Sequence, residues 1–172
     1  MSTELREFSK QWERETEGTL ALLRALPPDQ YDFRPDAGGR SLGELAWHLA
    51  EVDAYVSFGI ERGEFRFEIK PPNIDRPRTI DALARAFHVI HQEAAARVGQ
   101  LQAADIDREI RYADGSLWTI RDLLWRKLLL HAVHHRGQLT LLCRLAGGVP
   151  PGLFGRTREE SASARAATVA HA

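Results

Sequence analysis

Apolar residues recur at helical spacing in four stretches of the chain. Leu5, Phe8, Trp12, Thr16, Thr19, Leu23 and Leu26 share one face, and Pro27-Pro28 ends the pattern, which predicts a first helix from Thr3 to Ala25. Ser41-Leu42-Gly43-Glu44 has the Ser-x-x-Glu form of a capping box. It opens a second helix that carries Leu45, His48, Leu49, Val52, Tyr55, Val56 and Gly59 on one side and ends near Arg62-Gly63. A third, capped by Thr79, aligns Ile80, Leu83, Phe87, Ile90, Ala94, Val98 and Leu101. The fourth begins at Thr119, runs to about Ala146 and stops at Gly147-Gly148, with Pro150-Pro151 beyond.

Between these stretches the pattern changes. Residues 62–78 read as a long crossover with a short alternating piece, Glu64-Phe65-Arg66-Phe67-Glu68-Ile69. Asp114-Gly115 between apolar flanks predicts a small hairpin or tight loop. No repeat of fixed period is visible, so four helices with long crossover connections predict an all-α four-helix bundle. Residues 1–155 form the bundle domain in this reading. The Ala/Ser-rich tail, 156–172, is either disordered or a weakly docked helix.

The fourth stretch contains Leu128-Leu129-Leu130-His131-Ala132-Val133-His134-His135-Arg136-Gly137-Gln138-Leu139. Imidazoles in an apolar helix require a chemical reason. At about 100° per residue, His131 and His135 lie roughly 40° apart, one turn above the other, on the face shared by Leu124, Leu128, Leu139 and Leu142. A neutral pair at i and i+4 is a bidentate platform for a transition metal, and His48 on the second helix's apolar stripe supplies a third nitrogen. Three histidines leave coordination positions open, the arrangement of a catalytic rather than a closed structural ion. Around such an ion their nitrogens are expected about 3–4 Å apart, from bonds of ~2.0–2.1 Å.

The remaining histidines divide by direction. His134 points about 100° away from His135 and suits a supporting hydrogen bond, with His131-x-x-His134 as an alternative pair. His91 is a reserve fourth ligand, His88 is expected in solvent, and His171 sits in the tail. Glu44 and Glu51 flank His48 by one turn and Asp53 lies nearby, each a candidate to orient a ligand or move a proton; no catalytic residue is assigned among them. There is no paired Glu-x-x-His and no His-Glu-x-x-His, so ferritin-like and zincin sites lack support.

Composition narrows the partners. Of 172 residues, 23 are Lys or Arg and 24 Asp or Glu, a net charge of -1 without a basic run, which argues against nucleic acid. No segment approaches the ~20 apolar residues of a membrane span, and the polar N-terminus lacks a signal core; a cytoplasmic protein is expected. With Cys143 the one cysteine, His and carboxylates must hold any metal, and Cys143 itself reads as a small core residue. Arg34, Arg40 and Arg136 are the cations placed to meet an anionic substrate. Trp125, Leu129, Leu130, Val133 and Leu141 lie outside the His-bearing face and point to a partner subunit.

Ser41-x-x-Glu44-Leu45-x-x-His48, the run His131-x-x-His134-His135-Arg136-Gly137-Gln138-Leu139, and the exit Leu145 to Gly155 together resemble the DinB/YfiT-like metalloenzyme family, from the first helix to about Gly155. The resemblance implies a four-helix bundle of unusual crossover topology, often a homodimer, with a divalent metal held by His48, His131 and His135. It also implies relatives that are thiol-dependent S-transferases or a mycothiol-dependent maleylpyruvate isomerase; the name refers to induction by DNA damage, not to DNA binding. Imidazole ligation suits zinc and nickel alike. The leading expectation is a transferase acting on a small-molecule substrate with a low-molecular-weight thiol. A hydrolase using metal-activated water is its close variant. The contrasting class is a non-catalytic ligand-binding or dimerisation module with structural histidines.

Overall fold

The computed structural model describes residues 2–170. α1 (Thr3–Arg24) starts at Ser2, whose side chain accepts the Leu5 amide, and buries Leu5, Phe8, Trp12, Leu20, Leu22 and Leu23. α2 (Leu42–Arg62) has the complete capping box: Ser41 accepts from the Glu44 amide, and the Glu44 carboxylate accepts from the Ser41 amide. Gly63, at φ 74°, ends it in the left-handed conformation that glycine tolerates. α3 (Ile80–Gly99) follows Thr79, whose side chain makes no capping bond.

The expected hairpin forms: β1 (Glu109–Arg111) pairs antiparallel with β2 (Leu117–Thr119), Ile110 opposite Trp118, around Gly115 at φ 85°. The alternating 64–69 piece contributes a single parallel bridge, Glu64 to Arg111. Thr119 then caps a continuous helical rod in three parts: α4 (Ile120–Asp122), a π-helical stretch (Leu123–Leu130) and α5 (His131–Leu145). The π winding is the main departure from the uniform α-helix expected there. It widens the turn, so that Leu123, Leu124, Leu128 and Leu129 are all buried, and it shifts the buried face of α5 to Arg136, Leu139, Leu142 and Cys143. Gly147 ends the rod at φ 86°.

α2 packs against α3 and the rod, and α1 also packs against α3 and the rod, which puts the two sequentially adjacent helices at opposite corners of the bundle. The connection 25–41, from α1 to α2, and the hairpin-bearing segment 100–119, from α3 to the rod, each cross between helices that do not pack closely on one another. Beyond the rod, the tail forms α6 (Arg158–Ala170), tied back by Arg144, which donates two 2.9 Å hydrogen bonds to the Glu159 carboxylate. His171 lies outside the described residues. Among the described residues no helix is long and apolar enough to cross a membrane.

Candidate metal centre

α2 and α5 face each other, and each presents its histidines at the border between the bundle core and solvent. His48, His131 and His135 each offer one ring nitrogen, and the three nitrogens lie within 4.8 Å of one another. The donor set can hold a metal ion. His131 and His135 stack one turn apart with ring centroids at 4.5 Å, and His48 meets them edge-on at 5.6 and 4.6 Å. The Nε2 atoms of His131 and His135 are 2.8 Å apart, hydrogen-bonding distance rather than the wider spacing expected around an ion. All three rings are half-buried, not enclosed in the apolar core as the α-helical wheel implied; on α5 the buried positions are Arg136, Leu139, Leu142 and Cys143.

Each ring is fixed through its other side. His48 Nδ1 is 3.0 Å from Glu51 Oε2, and His135 Nδ1 is 2.7 Å from Gln138 Oε1. The Gln138 amide nitrogen in turn lies 3.1 Å from His134 Nε2, which fixes the amide's orientation. His131 hydrogen-bonds the Lys127 backbone. Because Glu51 and Gln138 accept at Nδ1, His48 and His135 carry their lone pairs on Nε2, the ligand-ready tautomer. Burial, aided by the neighbouring imidazoles, pushes the His135 pKa down to about 4 despite the Gln138 hydrogen bond. Burial and the charge of His48 lower His131 as well. Both rings are neutral near pH 7, the form that binds metal.

The other sequence candidates separate cleanly. His134 is exposed and outside the converging set; it lies against the Gln138 amide and meets the His135 ring edge-on at 5.0 Å. His88 is exposed. His91 is no fourth ligand: its ring is buried among α1, α2 and α3, with Nδ1 2.8 Å from Asp53 Oδ2 and 3.2 Å from Thr16 Oγ1, and Nε2 3.1 Å from Glu13. Asp53 belongs to that cluster, where burial pushes its carboxyl up, and Glu44 is spent on the α2 cap with Arg34 and Arg76. Of the three carboxylates only Glu51 touches the histidine set. Arg136 is buried and paired with Glu15 on α1, which removes it from any role toward substrate. Cys143 is fully buried, and burial raises its thiol.

The periodicity gave no indication of the cavity beside the histidines. A space of ≈ 320 Å³ is lined by His48, Glu51 and His131 on one side and by Tyr55, Phe65, Phe67 and Tyr112 on another. Tyr112 lies 4.7 Å from Phe65 and 5.8 Å from Phe67 between ring centroids, so the crossover and the hairpin together build an aromatic wall. The alternation Phe65-x-Phe67 and the tyrosine just before Asp114-Gly115 are its only traces in the sequence.

Comparison with known proteins agrees with this architecture. The chain is 28% identical over 162 residues to the uncharacterized protein YrdA of Bacillus subtilis (strain 168), covering 89% of each chain. A crystal structure of a DinB-like protein, yjoa, from Bacillus subtilis superposes with a TM-score of 0.71 at 23% identity, over 88% of this chain and 99% of that one. A DinB-like protein from Bacillus cereus ATCC 10987 gives a TM-score of 0.69 at 25% identity, over 84% and 94%. The model of the DinB superfamily matches residues 11–139, a span that includes His48, His131 and His135. The chain therefore belongs to the DinB superfamily.

Proposed function

We propose that this protein is a metal-dependent enzyme in which His48, His131 and His135 hold a divalent cation, zinc or nickel, beside a substrate cavity. One observation carries the reading. A neutral His131 has one N–H, yet it faces two acceptors: the Lys127 backbone and, at 2.8 Å, the Nε2 of His135, whose proton is committed to Gln138. A cation shared by the Nε2 atoms satisfies lone pairs that a single proton cannot. The outer hydrogen bonds to Glu51 and Gln138 are the supports that ligating histidines commonly have.

When bound, such an ion supplies Lewis acidity, which lowers the pKa of a thiol or a water molecule and favours the nucleophilic form. The chain's own residues do the rest. Glu51 holds the Nδ1 proton of His48, Gln138 holds that of His135, and the aromatic wall limits water around the reacting groups. Transfer of a low-molecular-weight thiol to a small electrophile is the reaction favoured here, in keeping with the resemblance to thiol-dependent transferases; hydrolysis is the variant. Cys143 is not the nucleophile, since it is buried with its thiol protonated and is absent from the cavity lining. The enzyme is proposed to work as a homodimer in the cytoplasm.

Elemental analysis of protein purified without a His tag is the direct test. About one equivalent of zinc or nickel per chain, lost in His48→Ala together with turnover, is expected. No metal under any loading condition favours the non-catalytic module, and full turnover by metal-free protein would overturn the metal-dependent mechanism. Thiol-dependent change in the spectrum of the cobalt-substituted protein separates transferase from hydrolase.

A further inference from the structure

The aromatic cavity has one arginine among its lining residues, Arg40. Among the candidate cations, Arg136 is buried against Glu15 and Arg34 is bound to Glu44. Arg40 has no carboxylate partner among the described residues; it is exposed and lines the cavity that holds His48, His131 and the wall of Tyr55, Phe67 and Tyr112. It also lines a second space, of ≈ 370 Å³, but Asp36 faces that one and repels an anion there. In the aromatic cavity the only carboxylate is Glu51, which is engaged with His48. An unpaired guanidinium is a fork suited to a carboxylate.

The wall sets the rest of the ligand. Tyr55 meets Phe67 at 5.9 Å and 72°, and Tyr112 meets Phe67 at 5.8 Å and 82°, an edge-to-face series that a planar guest extends. A space of ≈ 320 Å³ is at the small end of ligand sites, the size for one or two rings. We propose that the cavity takes a small aromatic carboxylate, its ring against Tyr55, Phe67 and Tyr112 and its carboxylate on Arg40. This names the substrate class for the proposed metal centre and rests on that reading for its catalytic meaning, though not for binding.

The test is ligand-observed fluorine NMR with 4-fluorobenzoate, 4-fluorobenzamide and 4-fluorocyclohexanecarboxylate, on metal-loaded and chelator-treated protein. The benzoate is expected to bind roughly tenfold tighter than the amide, as a charge-assisted pair gives. It should also bind tighter than the cyclohexane acid. Arg40→Gln should erase the acid preference and leave amide binding unchanged, Arg40→Lys should keep part of it, and Phe67→Ala should weaken both aromatic probes. Melting curves of the Arg40 variants check that the fold is intact. Equal binding of acid and amide, a ring no better than cyclohexane, or an acid preference that survives Arg40→Gln would overturn the proposal. A preference that vanishes on chelation would also overturn it, because the anion would then sit on the ion. Protein that takes no metal yet keeps an Arg40-dependent preference would sink the metal reading alone; metal binding without any preference would sink this one alone.

Discussion

His135 and His134 are adjacent in sequence and opposite in circumstance. His135 is half-buried, depressed to a pKa of about 4 and 2.8 Å from His131, whereas His134 is exposed, its nitrogen turned to Gln138 and its ring only edge-on to His135. His135→Ala is therefore expected to lose nearly all bound metal and His134→Ala to retain it, read as equivalents of metal per chain; equal losses would show that His134 shares the ligand role. Glu51 is a subtler case, since it contacts His48 only on the side away from the other two rings. Glu51→Gln should keep the site but weaken its affinity about 10–100-fold, measured by competition with a chromophoric chelator. The trio is legible in the sequence because three imidazoles on apolar stripes at helical spacing are hard to explain otherwise. Glu51 is there one of three equivalent carboxylates, since spacing cannot tell which of them is already used in a cap or a buried pair.

At the scale of elements, the helices and their ends followed from periodicity and caps, while the π stretch and the cavity wall did not. Eight residues of π-helix from Leu123 to Leu130 leave no mark in an apolar run that suits either winding. The wall depends on a close approach that only glycine permits: a Cβ on Gly59 would stand 2.5 Å from Cε1 of Phe65, so Gly59 lets that ring lie directly on α2. Gly59→Ala is expected to destabilise by about 1–3 kcal/mol, as overpacking does, and to weaken binding of aromatic probes in the cavity. Unchanged denaturation and unchanged probe binding would contradict this.

The buried cluster at His91 ties three helices and gives them a pH dependence. Burial alone would lower His91, but the hydrogen bond and charge of Asp53 on α2, with Glu13 on α1, hold it above its ordinary value; Thr16 and the Trp12 ring face it from α1 as well. The folded protein thus keeps a proton that the unfolded chain releases at about 6.5, so this contribution is complete below pH ~6.5 and is lost as pH rises through the raised value. Urea denaturation should show His91→Gln costing more at pH 6 than at pH 9, with the difference narrowing across that interval. A cost independent of pH would mean that His91 only packs.

The whole molecule places α1 and α2 at opposite corners, which no pairwise reading of helices reveals, and yet the class of bundle was readable from helix number and connection length. The oligomer is where sequence counting overreached. Of the five apolar residues assigned to a partner, Leu129 is buried in the chain's own core, and Trp125 and Val133 pack against it, Trp125 edge-on to Phe8 at 5.4 Å. Leu130 and Leu141 remain exposed at 58% and 62%, and the structure adds Leu145 at 56%. These three lie at i, i+11 and i+15, within about 60° on an α-helical wheel, a narrow apolar stripe along the outer side of the rod. A stripe of that kind along the rod is the surface proposed to join two copies, on the same helical rod that carries His131 and His135. Sedimentation at micromolar concentration is expected to give a dimer for the unmodified chain and a monomer for Leu141→Lys, with the metal content of both the same. A monomeric parent, or a dimer indifferent to a charge at Leu141, would place the interface elsewhere or remove it.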